Sequence, residues 1–135
     1  MPLWKTPLDM ANLPFPENMV TYLGIEITEV GDDFLRGTMP VDHRTIQPMG
    51  LLHGGASVVL AETLGSIAAN QCCEQGQYCV GLEINANHIR PVTSGKVTGT
   101  ARPVHIGKKT QVWDIRLEND NGQLTCVSRI TMAVN

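Results

Sequence analysis

The spacing of hydrophobic positions changes twice along this chain, and each change marks a new kind of element. The first sixteen residues hold four of the eight prolines and read as an irregular arm, with a helical turn around Leu8 to Leu13. A short helix is expected over residues 17 to 23. Two strand signals follow, IEITEV (25–30) and FLRGTMPV (34–41), separated by the turn-forming Gly31–Asp32–Asp33. The polar loop DHRTIQPMG then leads into a helix predicted from Gly54 to about Cys73. After Gln75–Gly76 the pattern is β to the end: YCVGLEINANHIR (78–90), KVTGTARPVHI (96–106), TQVWDIRLEN (110–119) and LTCVSRITMAV (124–134). Turn signals fall at Ser94–Gly95, at Gly107 and over Asn119 to Gly122. One long helix and about six strands, four of them in an unbroken run, predict an α+β fold. The sheet should be mostly antiparallel, with the helix packed on its face. A chain of 135 residues suits one domain with one core, residues 1–135.

The helix carries the first chemical question. At about 100° per residue, Leu60, Leu64 and Ile67 share the side expected to pack on the sheet. The opposite side carries Gly55, Val59, Glu62, Ser66 and Ala69, and Glu62 is the only charged residue between His53 and Glu74. A solvated helix face would carry more long polar side chains, so this small-residue face is expected to be covered by something else. Burying an unpaired carboxylate is costly. Periodicity alone leaves three roles open for Glu62: a surface residue, a structural partner, or the group that does chemistry.

His53-Gly54-Gly55 opens the same helix, where the first-turn N–H groups lack intrahelical partners. Such a terminus favours developing negative charge, and glycine lets a ligand approach the backbone, although a tight turn explains the glycines equally well. Gly55 and Glu62 lie on one side of the helix but about 10 Å apart along its axis. If both act on one small carbonyl, two antiparallel copies of the helix across a dimer axis would bring Gly55 of one to Glu62 of the other.

Composition narrows the classes. The chain is 42% hydrophobic and 17% charged with a formal net charge of −3, and its one adjacent Lys/Arg pair is Lys108–Lys109, which argues against a nucleic-acid partner. Cys72, Cys73, Cys79 and Cys126 form no C-x-x-C spacing, which points to reduced thiols in a cytoplasmic protein rather than a disulfide framework or zinc site. The opening MPLWKTPLDM has no long apolar segment, and the most apolar run is broken by His53, two glycines and Glu62, so no membrane span is expected. There is no G-x-S-x-G, and His43, His53, His88 and His105 make no helical ligand pair, so neither a serine hydrolase nor a metal site is expected.

DHRTIQPMGLLHGGASVVLAETLGS, GLEINANHIRPV and HIGKKTQVWDIRL, in this order and spacing, resemble the hotdog-fold acyl-CoA thioesterases. Within that family they are most similar to the branch containing 1,4-dihydroxy-2-naphthoyl-CoA thioesterase and the proofreading thioesterase of enterobactin biosynthesis. The similarity runs from about Trp4 to the C-terminus. It implies a long helix wrapped by a curved antiparallel sheet, a homodimer that forms the active site, and a dimer-of-dimers homotetramer. It implies an acyl-CoA substrate with an aromatic acyl group, and no cofactor beyond the coenzyme A of the substrate. An acyl group on a phosphopantetheinyl carrier protein is an alternative substrate, and a non-catalytic acyl-CoA binder an alternative function. By the same resemblance Glu62 matches the catalytic carboxylate, as nucleophile or as base, and the Gly55 N–H matches the donor that polarises the thioester carbonyl. His53 and Gln47 line that site, and Ser66 helps place water or substrate. Gly81 and His88-Ile89-Arg90-Pro91 match a substrate-binding segment, and His105-Ile106-Gly107-Lys108-Lys109-Thr110 the loop that holds the nucleotide end of coenzyme A. Lys108 and Lys109 can neutralise phosphates, and a Gly-centred turn can offer backbone N–H groups. Met49 stands where close relatives often carry phenylalanine, which alters the expected shape of the acyl pocket.

Overall fold

The computed structural model describes residues 1–9 and 17–135; the helical turn expected around Leu8 to Leu13 lies mostly outside them. The elements are α1 (Met19–Tyr22), β1 (Glu26–Val30), β2 (Leu35–Pro40), α2 (Gly54–Gln71), β3 (Cys79–His88), β4 (Lys96–Ile106), β5 (Thr110–Glu118) and β6 (Leu124–Val134). All six strands join one antiparallel sheet in the order β1-β2-β4-β5-β6-β3. The single long helix α2 packs against β2, β3, β4, β5 and β6, the arrangement expected of a hotdog fold.

The strands form where side chains alternate between the helix and solvent. On β2, Leu35, Gly37 and Met39 point inward; on β5, Gln111, Trp113, Ile115 and Leu117 do. Gly37 and Gly99 are cross-strand partners on β2 and β4, and together they form a dent in the sheet. Leu64 fills it: a methyl built on either glycine would fall within 2.8 Å of a Leu64 Cδ atom. The absence of two side chains thus lets α2 settle close to the backbone of the sheet.

The helix buries more of its circumference than periodicity predicts. Leu60, Ala61, Leu64, Ala68 and Ala69 are all fully buried. Ala69, expected on the open face, is covered because β5 reaches around far enough for Gln111 Nε2 to donate to the Ala69 carbonyl at 3.3 Å. Ile67, expected in the core, is only half-buried and borders the groove beside Glu62.

The N-terminal arm is irregular as expected but firmly tied. Trp4 stacks on the buried Trp113, with ring centroids 6.1 Å apart, and donates Nε1–H to the Gly31 carbonyl at 2.7 Å. The N–H groups of Lys5 and Thr6 both reach the Gln71 carbonyl, one of the orphan acceptors at the end of α2.

Candidate active site

The loop before α2 is built to present the helix start. Asp42 accepts from the Arg44 N–H at 2.9 Å and from its guanidinium, and the Arg44 contacts hold the Asp42 carboxyl down at about 2. The Thr45 hydroxyl donates to the Pro40 carbonyl at 2.8 Å, and the His53 N–H returns to the Thr45 carbonyl. Gln47 closes the tip: its N–H donates to the Leu51 carbonyl, its carbonyl accepts from Gly50, and its Oε1 accepts from the Met49 N–H. Met49 itself projects from the tip, 80% exposed.

His53 caps α2. Its backbone is extended, at φ −67 and ψ 132, and its Nδ1 accepts the Gly55 N–H at 2.8 Å. An accepting Nδ1 must carry its lone pair, which places the ring proton on Nε2. The donor expected at Gly55 is therefore occupied in this conformation. Gly54, the first residue of the helix, has no partner for its N–H among the described residues. His88, at the end of β3, lies over Gly54, with Nε2 2.8 Å from where a Gly54 methyl would be. Gln47, Gly54, His88, Ile89, Arg90 and Pro91 line one groove of about 360 Å³. The family resemblance named Gln47 with the Gly55 donor and His88 to Pro91 as a separate binding segment; the structure lines one groove with all five, and with Gly54, which the resemblance did not name.

Glu62 opens onto a different groove. Two turns along α2, it is exposed, and no described residue bonds to its carboxylate. With Val59, Thr63, Ser66 and Ile67 it forms one wall of a groove of about 420 Å³, and Asn18, Met19 and Val20 of the α1 segment form the other. Nothing in the sequence signals that α1 stands opposite Glu62, because the two are over forty residues apart and no local pattern links them. The carboxylate also lies against Gly81 on β3.

The loop His105 to Thr110 occupies a third place, beside the far end of α2. Ile106, Gly107 and Lys108 line a groove of about 440 Å³ together with Lys5, Cys72 and Gln77. Gly107 is needed there because a methyl would fall 2.9 Å from the Thr110 carbonyl, to which its own N–H is the donor. An eighteen-residue helix separates this loop from Gly54 by roughly 27 Å. Within one chain the expected site residues thus form three clusters rather than one. Among the described residues no group of three or more His, Cys, Asp or Glu is arranged to hold a metal ion, and no helix is long and apolar enough to cross a membrane.

Residues 49–126 match the family model described as the thioesterase superfamily. The chain is 51% identical over 134 residues to the 1,4-dihydroxy-2-naphthoyl-CoA hydrolase of Escherichia coli, covering 98% of each protein. It is 48% identical to the proofreading thioesterase EntH of Cronobacter turicensis, again covering 98% of both. A solved thioesterase from Haemophilus influenzae superposes with a TM-score of 0.95 at 52% identity, over 98% of this chain and 94% of that one. A cap, two glycines and a lone carboxylate on one helix, with matches of this extent, lead to one conclusion: the chain belongs to the thioesterase superfamily and is a thioester hydrolase.

Proposed function

We propose that this protein is a cytoplasmic thioesterase that hydrolyses an aromatic acyl-CoA to the free acid and coenzyme A, in a site shared by two copies of the chain. The observation that carries the shared site is the separation of Gly54 and Glu62 into different grooves about 12 Å apart along one helix. A thioester carbonyl spans no such distance. A second α2 lying antiparallel would bring the Glu62 groove of one copy to the Gly54 groove of the other. The edge strand β3 favours that pairing. It has ten residues, pairs among the described residues with β6 alone, and exposes Val80 at 47% and Leu82 at 62%. A long open edge with apolar side chains is a ready template for another strand. Joining two β3 edges antiparallel would continue the sheet and set the helices side by side; a dimer of such dimers is the assembly we propose.

In the reaction, the carbonyl oxygen of the thioester binds the Gly54 N–H at the positive end of the α2 dipole, which stabilises the oxyanion as charge develops. The other copy's Glu62 either attacks the carbonyl carbon, giving a mixed anhydride that water then opens, or removes a proton from the attacking water. In both routes water is consumed and the thiol leaves as coenzyme A. Gln47 and Ser66 would orient the acyl group and water, His88 to Pro91 the pantetheine arm, and Lys108 and Lys109 the phosphates. No cofactor is required. The relative named as a proofreading thioesterase supports a second reading, in which the acyl group arrives on a carrier protein.

The test combines two variants. Glu62→Gln should abolish thiol release from a panel of aromatic and aliphatic acyl-CoAs and one aryl-loaded carrier protein. A variant lacking the Gly54 N–H, Gly54→Pro, should also be nearly inactive. Mixed after reversible dissociation, the two should recover about a quarter of wild-type activity, because half the random dimers are mixed and each has one intact site. No recovery from fully exchanged dimers would place the site within one chain, and an active Glu62→Gln would remove the assignment altogether.

A further inference from the structure

β3 begins in close contact with α2. The Asn70 side chain accepts from the Cys79 N–H at 2.9 Å and donates to its carbonyl at 3.3 Å, which fixes the first residue of the strand against the last turns of the helix. Two residues on, at Gly81, the strand passes the Glu62 carboxylate. A methyl built on Gly81 would fall 2.7 Å from Glu62 Oε2, closer than side chains approach, while its next neighbour, Ile130 Cδ1, is at an ordinary 3.6 Å. The register of β3 against β6 shifts between Gly81 and Glu83, so the regular pairing breaks where the strand passes the carboxylate. Gly81 is not among the glycines with positive φ, so its backbone requires no glycine. In such a strand alanine normally serves better than glycine, because glycine forfeits conformational entropy and packs nothing. What calls for glycine here is the space its missing side chain leaves for Oε2.

We propose that Gly81 is a positioning residue: its bare Cα forms the seat that sets where the Glu62 carboxylate points. This rests on the reading of Glu62 as the reacting carboxylate, and gives Gly81 a role that does not depend on touching substrate. With a methyl at position 81, Oε2 must retreat by several tenths of an ångström, which a flexible glutamate does at little cost to the fold. The reacting geometry bears that cost instead.

Three variants test it. Gly81→Ala should keep or raise the melting temperature, lower kcat by about 10- to 100-fold, and change KM less than about threefold, since misplacement by about 1 Å can cost about 100-fold in rate. Glu62→Asp should lose activity by withdrawing the carboxylate. The double variant should be more active than the two losses multiplied together, because the shorter acid no longer meets the methyl. Wild-type kcat in Gly81→Ala overturns the proposal, as does strict multiplication of the two losses. A raised KM with unchanged kcat would also overturn it, assigning Gly81 to substrate contact alone. Full activity of Glu62→Gln would instead remove the underlying assignment of Glu62, so the two failures are distinguishable.

Discussion

Replacing Gly54 with proline should remove one hydrogen-bond donor from the active site while leaving the helix that carries it intact. Gly54 is the first residue of α2, the one helical position where proline's missing N–H breaks no backbone bond and its fixed φ suits the chain. The residue before it, His53, already has the extended backbone that a following proline demands. The added carbon atoms would press on His88, since a methyl at position 54 falls 2.8 Å from its Nε2. Gly54→Ala brings the same methyl and keeps the N–H, so it serves as the control. Losing one oxyanion donor typically costs about 10²–10³ in kcat, or about 2.7–4 kcal/mol. We therefore expect Gly54→Pro to fall below Gly54→Ala by that factor in kcat/KM for an aromatic acyl-CoA, measured by thiol release, with both variants melting close to wild type. Equal rates for the two would refute the assignment of the Gly54 N–H. A collapse of both would mean that the His88 contact, not the donor, limits the reaction.

Two further outcomes follow from the fold. Leu64→Ala should lower unfolding free energy in urea by about 2–5 kcal/mol, toward the upper end because the glycine-lined dent in the sheet is backbone and cannot close around the smaller side chain; a loss under about 1 kcal/mol would contradict the nesting. Burial pushes the Cys79 thiol up to about 12 and Cys72 up to about 11, and raises Cys126 as well. A thiol whose pKa is raised on folding adds no penalty below its unfolded value near 9, and stability falls as pH rises from there to the folded values of about 11 and about 12. The native protein should thus resist iodoacetamide at pH 8 and show a lower denaturation midpoint at pH 10; rapid alkylation of the folded state would refute the buried, protonated thiols.

How much of this was legible in the residues depended on whether the signal was local. The strands could be read because alternation is local: Leu35, Gly37 and Met39 on one face of β2 need no knowledge of what they meet. The dent that receives Leu64 could not be read, because it exists only once Gly37 and Gly99 come into register across two strands distant in sequence. Ala69 failed for a related reason. A helix on an open sheet would leave that position uncovered, but the sheet continues far enough for Gln111 to cover it, and helical periodicity carries no information about how far a sheet wraps. The α1 wall of the Glu62 groove lies beyond local pattern in the same way.

The helix start is different, because there the sequence held more than periodicity extracts. An N-cap side chain bonds the N–H of the second or third helical residue, never the first. Once His53 is taken as the cap of a helix that begins at Gly54, Gly55 is in the position a cap side chain reaches, and its N–H is the one His53 occupies. The N–H left for a ligand is then that of Gly54, one residue earlier and turned about 100° around the helix from Gly55. That shift moves the donor off the side of α2 that holds Glu62 and into the groove of Gln47 and His88. The two groups proposed to react thereby face different grooves in a single chain, as well as lying two turns apart, and the case for a second copy completing the site rests on direction as much as on distance.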